Sequence, residues 1–403
     1  MSKSSIFKSL TLGTLILPVL LMAQDSSYTS YSSSFNQSAF IPDIALIVDM
    51  SYTNRNVKDS EQENLSLLGN AYPDYVEFNS NNGFNLNYAE LTLHSDVDQL
   101  FVLDGVFHFN TEGVEIEEAY FTTRALPLNF KIKGGKFKSD FGRINSQHQH
   151  VWDFADAPLV YTSFLSAEGI NNIGLQAQWL APTPWYMMAG IELFQSGNGT
   201  SFSNESFTAI NNQEVEAATA PNLVVAYLKN SIDIDDTTLI LGINVATGAN
   251  KSEANQFDGS STVYDIDFTS KSYFDSYSYL TFQTEVMYRD MDGDNLNSLP
   301  SIQDAYNQAG LYAQLVYAYD QNWRTGIRYD TIFKDTLNDT DNNTPLNRYT
   351  VMAEYNPSEF TRLRAQYSHS DAFLEQGEIT PRNIDEFILE LNIAIGSHGA
   401  HSF

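Results

Sequence analysis

The 403-residue chain carries 50 acidic against 21 basic residues, a formal net charge of −29, 26 Phe, 23 Tyr and no Cys. Such acidity argues against nucleic acid and other polyanions as partners and suits cations, and the lack of Cys excludes a disulfide framework and thiolate metal sites. Abundant aromatics at a mean hydropathy below zero exclude a helical membrane protein and fit strands that show lipid only one face.

Lys3 and Lys8 precede an apolar run from Leu10 to Met22, and Leu21-Met22-Ala23 offers a cleavage site before Gln24. Residues 1–23 are therefore expected to be a signal peptide, the run of about a dozen residues falling short of the ~20 that a membrane-spanning helix needs. Residues 24–42, rich in Ser, Tyr, Asn and Gln without periodicity, are expected to be a flexible periplasmic leader.

From Asp43 the period is two, with Ile44, Leu46, Val48, Met50 and Tyr52 on one parity. The same alternation recurs over Tyr88–Ser95, Phe101–Phe109, Val114–Leu126, Leu128–Phe137, Asn172–Ala181, Trp185–Gln195, Asn222–Ser231 and Thr237–Thr247. It continues over Thr262–Ser270, Tyr277–Arg289, Gln308–Tyr317, Asn322–Asp330, Arg348–Asn356, Phe360–Ser370 and Asn383–Gly396. About sixteen strands result, an admissible even number for a bacterial barrel. The short connections (Ala181–Pro184, Asp233–Asp236, Ala318–Gln321, Pro357–Glu359) alternate with long ones (Ser139–Asn171, Ser196–Pro221, Asp290–Asn307, Thr331–Asn347). Short periplasmic turns and long external loops have that asymmetry, and Trp185, Trp323 and Phe360 follow short turns where an interfacial aromatic girdle would lie. Residues 43–403 are accordingly expected to form one all-β transmembrane antiparallel up-and-down β-barrel, with a long loop folded inward.

In the last strand Phe387, Leu389, Leu391, Ile393 and Ile395 alternate with Glu386, Glu390 and Asn392, and the parity runs on to Phe403. This ending resembles the carboxy-terminal assembly signal of Gram-negative outer-membrane proteins. The resemblance implies delivery by the barrel-assembly machinery through Phe403, and a bacterial outer-membrane location among lipid and lipopolysaccharide.

With one parity facing lipid, Lys131, Lys133, Arg324, Arg328, Arg362 and Arg364 face the lumen, as do Glu90, Asp104, Glu115, Glu117, Glu192, Asp265, Asp267, Glu285, Glu354, Glu386 and Glu390. The basic residues are read as a cationic ladder opposite acidic groups; direct cross-strand pairing of each Arg with a Glu is the alternative. The connection Ser139–Asn171 holds Phe141, Trp152, Phe154, Leu159, Val160, Tyr161 and Phe164. It is too apolar for a free tail and is expected to narrow the lumen, with Asp140, Asp153, Asp156 and Glu168 as constriction acids. His148 and His150, two apart in extended chain and followed by Asp153 and Asp156, are candidate Zn or Cu ligands; no other cofactor is expected. Ser368-His369-Ser370 near Asp371 has no independent support as a catalytic group, and no enzyme is expected.

Gly135-Lys136-Phe137-Lys138-Ser139-Asp140-Phe141-Gly142-Arg143 is similar to the Gly-Lys-Phe…Phe-Gly segment of the phosphate-selective porin family. The resemblance implies a sixteen-stranded, typically trimeric porin with its third long loop inside. That family's phosphate preference rests on runs of inward basic residues, from which this acidic chain departs. The expected function is passive diffusion of small hydrophilic solutes or ions, with cation preference, through a homotrimeric porin. The alternative is a selective zinc or nutrient uptake channel or receptor.

Overall fold

The computed structural model describes residues 42–59, 65–67, 70–71, 78–110, 113–197, 200–297, 300–335, 345–375 and 379–396. The expected signal peptide, all but the last residue of the leader, and Phe403 lie outside the described residues. Sixteen long strands follow in order. They are β1 Asp43–Arg55, β2 Gly83–Asp96, β3 Phe101–Phe109, β4 Val114–Thr123, β5 Phe130–Lys138, β6 Asn171–Leu180, β7 Tyr186–Gln195 and β8 Leu223–Ile234. The series continues with β9 Thr237–Ser252, β10 Phe257–Tyr273, β11 Tyr279–Asn295, β12 Ile302–Ala318, β13 Trp323–Asp335, β14 Leu346–Ser358, β15 Thr361–Glu375 and β16 Ile379–Gly396. Each pairs antiparallel with the next, and β1 pairs with β16 with Val48 opposite Ile393, so the sheet closes. Closure leaves no strand edge unpaired in hydrocarbon.

Alternation decides which way each residue faces. Ile173, Ile191, Ile243, Ile266, Ile327, Leu389 and Ile395 are exposed on the outside, whereas Glu90, Glu192, Glu285, Arg289 and Arg364 are fully buried on the inside. Apolar out and charged in reverses the pattern of a water-soluble protein and is the pattern of a lipid-embedded barrel. Trp185, Trp323 and Phe360 are exposed at the short-turn ends, with Tyr319 in the turn before Trp323 and Tyr277 in another short turn, as an interfacial girdle requires. Among the described residues no helix is long and apolar enough to cross a membrane; the strands cross instead, in the architecture of a bacterial outer-membrane protein.

The sixteen expected strands all form, but β9 to β12 run to 16 or 17 residues, beyond the 9–11 or so that a tilted strand needs to cross. The expected long connection Asp290–Asn307 is mostly a continuing ladder, in which Met291 pairs with Tyr306 and Asn295 with Ile302. Above the lipid, polar residues such as Asp292, Gln303 and Asn307 keep one face wet while the backbone ladder stays satisfied.

The lumen is occupied. The connection from β5 to β6 enters it and carries a short helix, α1 Leu159–Leu165. Phe137, Phe141, Ile144, Val160, Tyr161, Phe164 and Leu165 pack there against inward Phe194, Leu223, Val225, Val263, Met287 and Tyr312. This apolar core lies inside the barrel, against β7 to β12.

Candidate functional site

The inward turn begins in the segment around Gly135. That residue has φ +138°, and a Cβ on it would lie 2.2 Å from the Ala119 carbonyl oxygen, so β4 approaches β5 only because the side chain is absent. Phe137 and Phe141 are the next fully buried anchors. Gly142 then turns at φ +62°, where a Cβ would meet Glu285 Oε2 at 2.7 Å.

Acids of the wall receive the loop's backbone. The N–H groups of Arg143 and Ile144 donate to Glu285 Oε1 at 3.1 and 3.0 Å, and the Tyr312 hydroxyl donates to the same oxygen at 2.8 Å. Asp140 N–H donates to Glu192 Oε1 at 3.0 Å, with the Ser139 hydroxyl on the same carboxylate. Leu159 N–H donates to Asp330 Oδ1 at 3.0 Å and Ala155 N–H to Gln366 Oε1 at 2.9 Å. Each contact satisfies a donor that the lumen would otherwise bury without a partner.

On the opposite wall the basic residues form a clasp. Arg324 binds both Glu354 oxygens, at 2.8 and 2.9 Å, and reaches Asp153 at 3.1 Å. Arg328 bonds Asp156 at 2.8 Å and Asp330 at 2.9 Å, and Arg348 also pairs with Asp156. Arg364 lies between Glu354 at 3.0 Å and Glu390 at 3.2 Å and donates to the Trp152 carbonyl at 2.6 Å; Arg362 bonds Glu390 at 2.7 Å. The ladder of cations opposite acids across the channel therefore does not form. Arg324, Glu354, Arg364 and Glu390 stand at directly paired positions of β13 to β16, so neighbours on one wall neutralise one another.

The expected constriction acids separate accordingly. Asp153 and Asp156 belong to the clasp. Burial opposes charge on Asp156, but Arg328 and Arg348 outweigh it and hold the carboxyl below its ordinary value. Asp140 accepts from Gln176 at 2.9 Å, Gln178 at 2.6 Å and the Tyr227 hydroxyl at 3.2 Å. Its carboxyl is also held low, Lys133 and Lys229 outweighing the effect of burial. Glu168 is half-buried, and burial, with Glu115 nearby, raises its pKa. It lines neither of the cavities described below. Lys133 lines the smaller cavity, whereas Lys131 is exposed and lines neither.

His148 and His150 have a different acidic environment from the one their spacing suggests. Residues Gln149–Val151 form a 3₁₀ turn, not extended chain, and Asp153 and Asp156 are held by the arginines. The carboxylates at His148 are instead Glu117 (Nδ1, 3.2 Å), Glu90 (Nδ1, 3.5 Å) and Glu118 (Nε2, 2.9 Å). A bulge in β4 makes this possible: Val106 pairs with Glu118 and Phe107 with Ile116, leaving Glu117 as the extra residue. Both glutamates are consequently buried beside the loop. His108 adds contacts to Glu117 at 2.6 Å and Glu90 at 3.2 Å.

Two cavities lie beside the loop, of about 960 and 600 Å³. The larger reaches the short-turn end, past Thr238, Lys271, Tyr277 and Asp320, and includes the clasp residues Asp153, Arg324 and Arg328. The smaller lies against β2 to β5, with Glu90, Lys133, Asp140 and His148 in its wall. Arg143, Gln147 and Val151 line both, and the Arg143 guanidinium has no ion-pair partner among the described residues. Sequence reasoning missed Arg143, Arg348 and Glu118 as site residues; Arg143 stood in the quoted Gly-Lys-Phe segment, which was the available signal. Ser368 and Ser370 are buried on the lumen side, whereas His369 lies on the outward parity and bonds Asp385 at 2.8 Å, so the three form no catalytic group.

No family model matches the chain. The outer membrane channel DcaP of Acinetobacter baumannii is similar in fold, at 11% identity and a TM-score of 0.57, covering 89% of this chain and 99% of that one. An anion-selective porin from Comamonas acidovorans aligns at 9% identity and a TM-score of 0.57 over 88% of this chain and 100% of its own. The trimer form of OmpT, an outer membrane protein of Vibrio cholerae, gives 11% identity and a TM-score of 0.50 over 89% and 100%. In sequence, an uncharacterized protein of Aquifex aeolicus (strain VF5) is 42% identical over 386 residues, spanning 92% of this chain and 82% of the relative. At that identity and coverage, the chain belongs to the family of the Aquifex aeolicus protein.

Proposed function

We propose that the protein is an outer-membrane channel of porin type that passes small hydrophilic solutes or ions under the control of its inward loop. The observation that carries this is the pair of cavities inside a closed sixteen-strand barrel, both lined by Arg143, Gln147 and Val151 of a loop held by ion pairs. Barrels of this size leave an aqueous lumen unless something fills it, and here the outer part is filled by the loop core.

Total charge argues for cation preference. The charge beside the residues common to both cavities argues the reverse, because Glu192, Glu285, Glu354 and Glu390 are engaged by arginines or loop N–H groups while Arg143 has no ion-pair partner among the described residues. Selectivity is set at the narrowest part of a path, so the proposed preference is for anions or neutral polar solutes. Phosphate selectivity in particular is not proposed, since the clasp arginines are already paired with Glu354, Glu390, Asp153 and Asp156. Homotrimeric assembly is proposed by analogy with the trimer form of the Vibrio cholerae protein. A nutrient- or metal-selective channel is the second reading, favoured by the His–Glu cluster beside the smaller cavity. Planar-bilayer recording tests the proposal: Arg143→Glu is expected to move the reversal potential toward cation preference, and an unchanged reversal potential would remove Arg143 from the path.

A further inference from the structure

We propose that Glu90, His108, Glu117 and His148 form a site for one divalent first-row transition cation, with Zn²⁺ as the test ion, that pins the inward loop to the barrel wall. Three of the residues come from β2, β3 and β4, and the fourth comes from the loop. One donor atom from each lies within 4.8 Å of the other three. The separations His108–Glu117, His108–Glu90, His148–Glu117 and His148–Glu90 are 2.6, 3.2, 3.2 and 3.5 Å. A tetrahedron with bonds of ~2.0–2.1 Å has donors about 3.3 Å apart, so three of these four separations already suit a cation and the 2.6 Å contact opens to admit it.

The surroundings fit a metal centre. His148 offers Nδ1 to the site while Nε2 lies 2.9 Å from Glu118, the outer carboxylate that fixes the tautomer of a ligating imidazole. Glu117 Oε1 is held by Lys138 at 2.9 Å, leaving Oε2 for the cation. Glu90 is fully buried, and its Oε1 has no hydrogen-bond partner among the described residues. With neutral imidazoles, three carboxylates and one ammonium leave two negative charges, which one divalent cation balances. Two nitrogens and two oxygens suit Zn²⁺ and its neighbours, whereas Ca²⁺ and Mg²⁺ need six or more oxygen ligands. Glu90, Glu118 and His148 line the smaller cavity, which gives the ion an aqueous approach.

The test is calorimetric titration of the metal-free, folded full chain in detergent with Zn²⁺, alongside the optical spectrum of the Co²⁺ form. One equivalent of Zn²⁺ and a tetrahedral Co²⁺ spectrum are expected. His148→Ala should abolish binding, and Glu118→Gln should weaken it by about 10–100-fold. His94→Ala, in the exposed pair with Asp104, should leave it unchanged. If the folded wild type binds no stoichiometric metal, or His148→Ala binds as tightly, the cluster is an ion-pair network of protonated histidines and the proposal fails. The readout is metal binding and not conduction, so its failure is distinct from failure of the channel reading; the Co²⁺ spectrum of the wild type decides even if a variant misfolds.

Discussion

Arg364 shows how individual residues hold the site. It is fully buried between Glu354 and Glu390 and also reaches the loop at Trp152. Replacing it with Ala takes one of two arginines from each of Glu354 and Glu390, which keep Arg324 and Arg362, and removes a donor from the buried Trp152 carbonyl, which costs on the order of 1–3 kcal/mol. A lower denaturant midpoint for Arg364→Ala, measured in lipid vesicles, is the expected outcome. Asp156 sets the pH dependence of the clasp. Its folded pKa is depressed by Arg328 and Arg348, so its contribution is complete above the unfolded value of ~3.9 and is lost as pH falls through the lower folded value. Conductance should therefore stay flat from pH 8 down to about 4 and rise only below that; a rise at pH 6 would assign loop retention to another group. The inward direction of Arg324, Arg328, Arg362 and Arg364 was legible from parity alone. Their pairing was not, because it depends on register between strands whose alignment is set by closure of the whole sheet.

Among the elements, the inward loop decides how open the barrel is. Its entry into the lumen was legible in the aromatic content of the segment between Ser139 and Asn171. The β4 bulge was not, since one extra residue in Glu115 to Glu118 leaves the alternation ambiguous, and with it went the true acidic partners of His148. Nor was the paired projection of β11 and β12, whose polar residues look like loop. A double substitution, Asp153→Asn with Asp156→Asn, removes the loop's carboxylates from Arg324, Arg328 and Arg348. Single-channel recording should show larger or longer openings than wild type, with barrel folding retained because no strand residue is changed. Gly142→Ala should act in the same direction. Its Cβ would face Glu285 at 2.7 Å in a left-handed turn, a backbone strain of about 1–3 kcal/mol that loosens the anchor at Arg143 and Ile144.

For the molecule as a whole, apolar residues outside and charged residues inside a closed sheet account for the membrane location, and the inward loop fills much of the interior of that sheet. Net charge does not translate directly into lumen charge, because acids such as Glu285, Glu192, Glu354 and Glu390 accept loop N–H groups or pair with arginines. The measurement that bears most directly on the account is conductance and reversal potential of the folded full chain in planar bilayers, for wild type and for the Asp153→Asn, Asp156→Asn variant. Small, restricted conductance without cation preference in the wild type, enlarged in the variant, is the predicted result. Silence from both proteins, each shown to be folded, would contradict a loop-gated channel and leave a closed structural barrel.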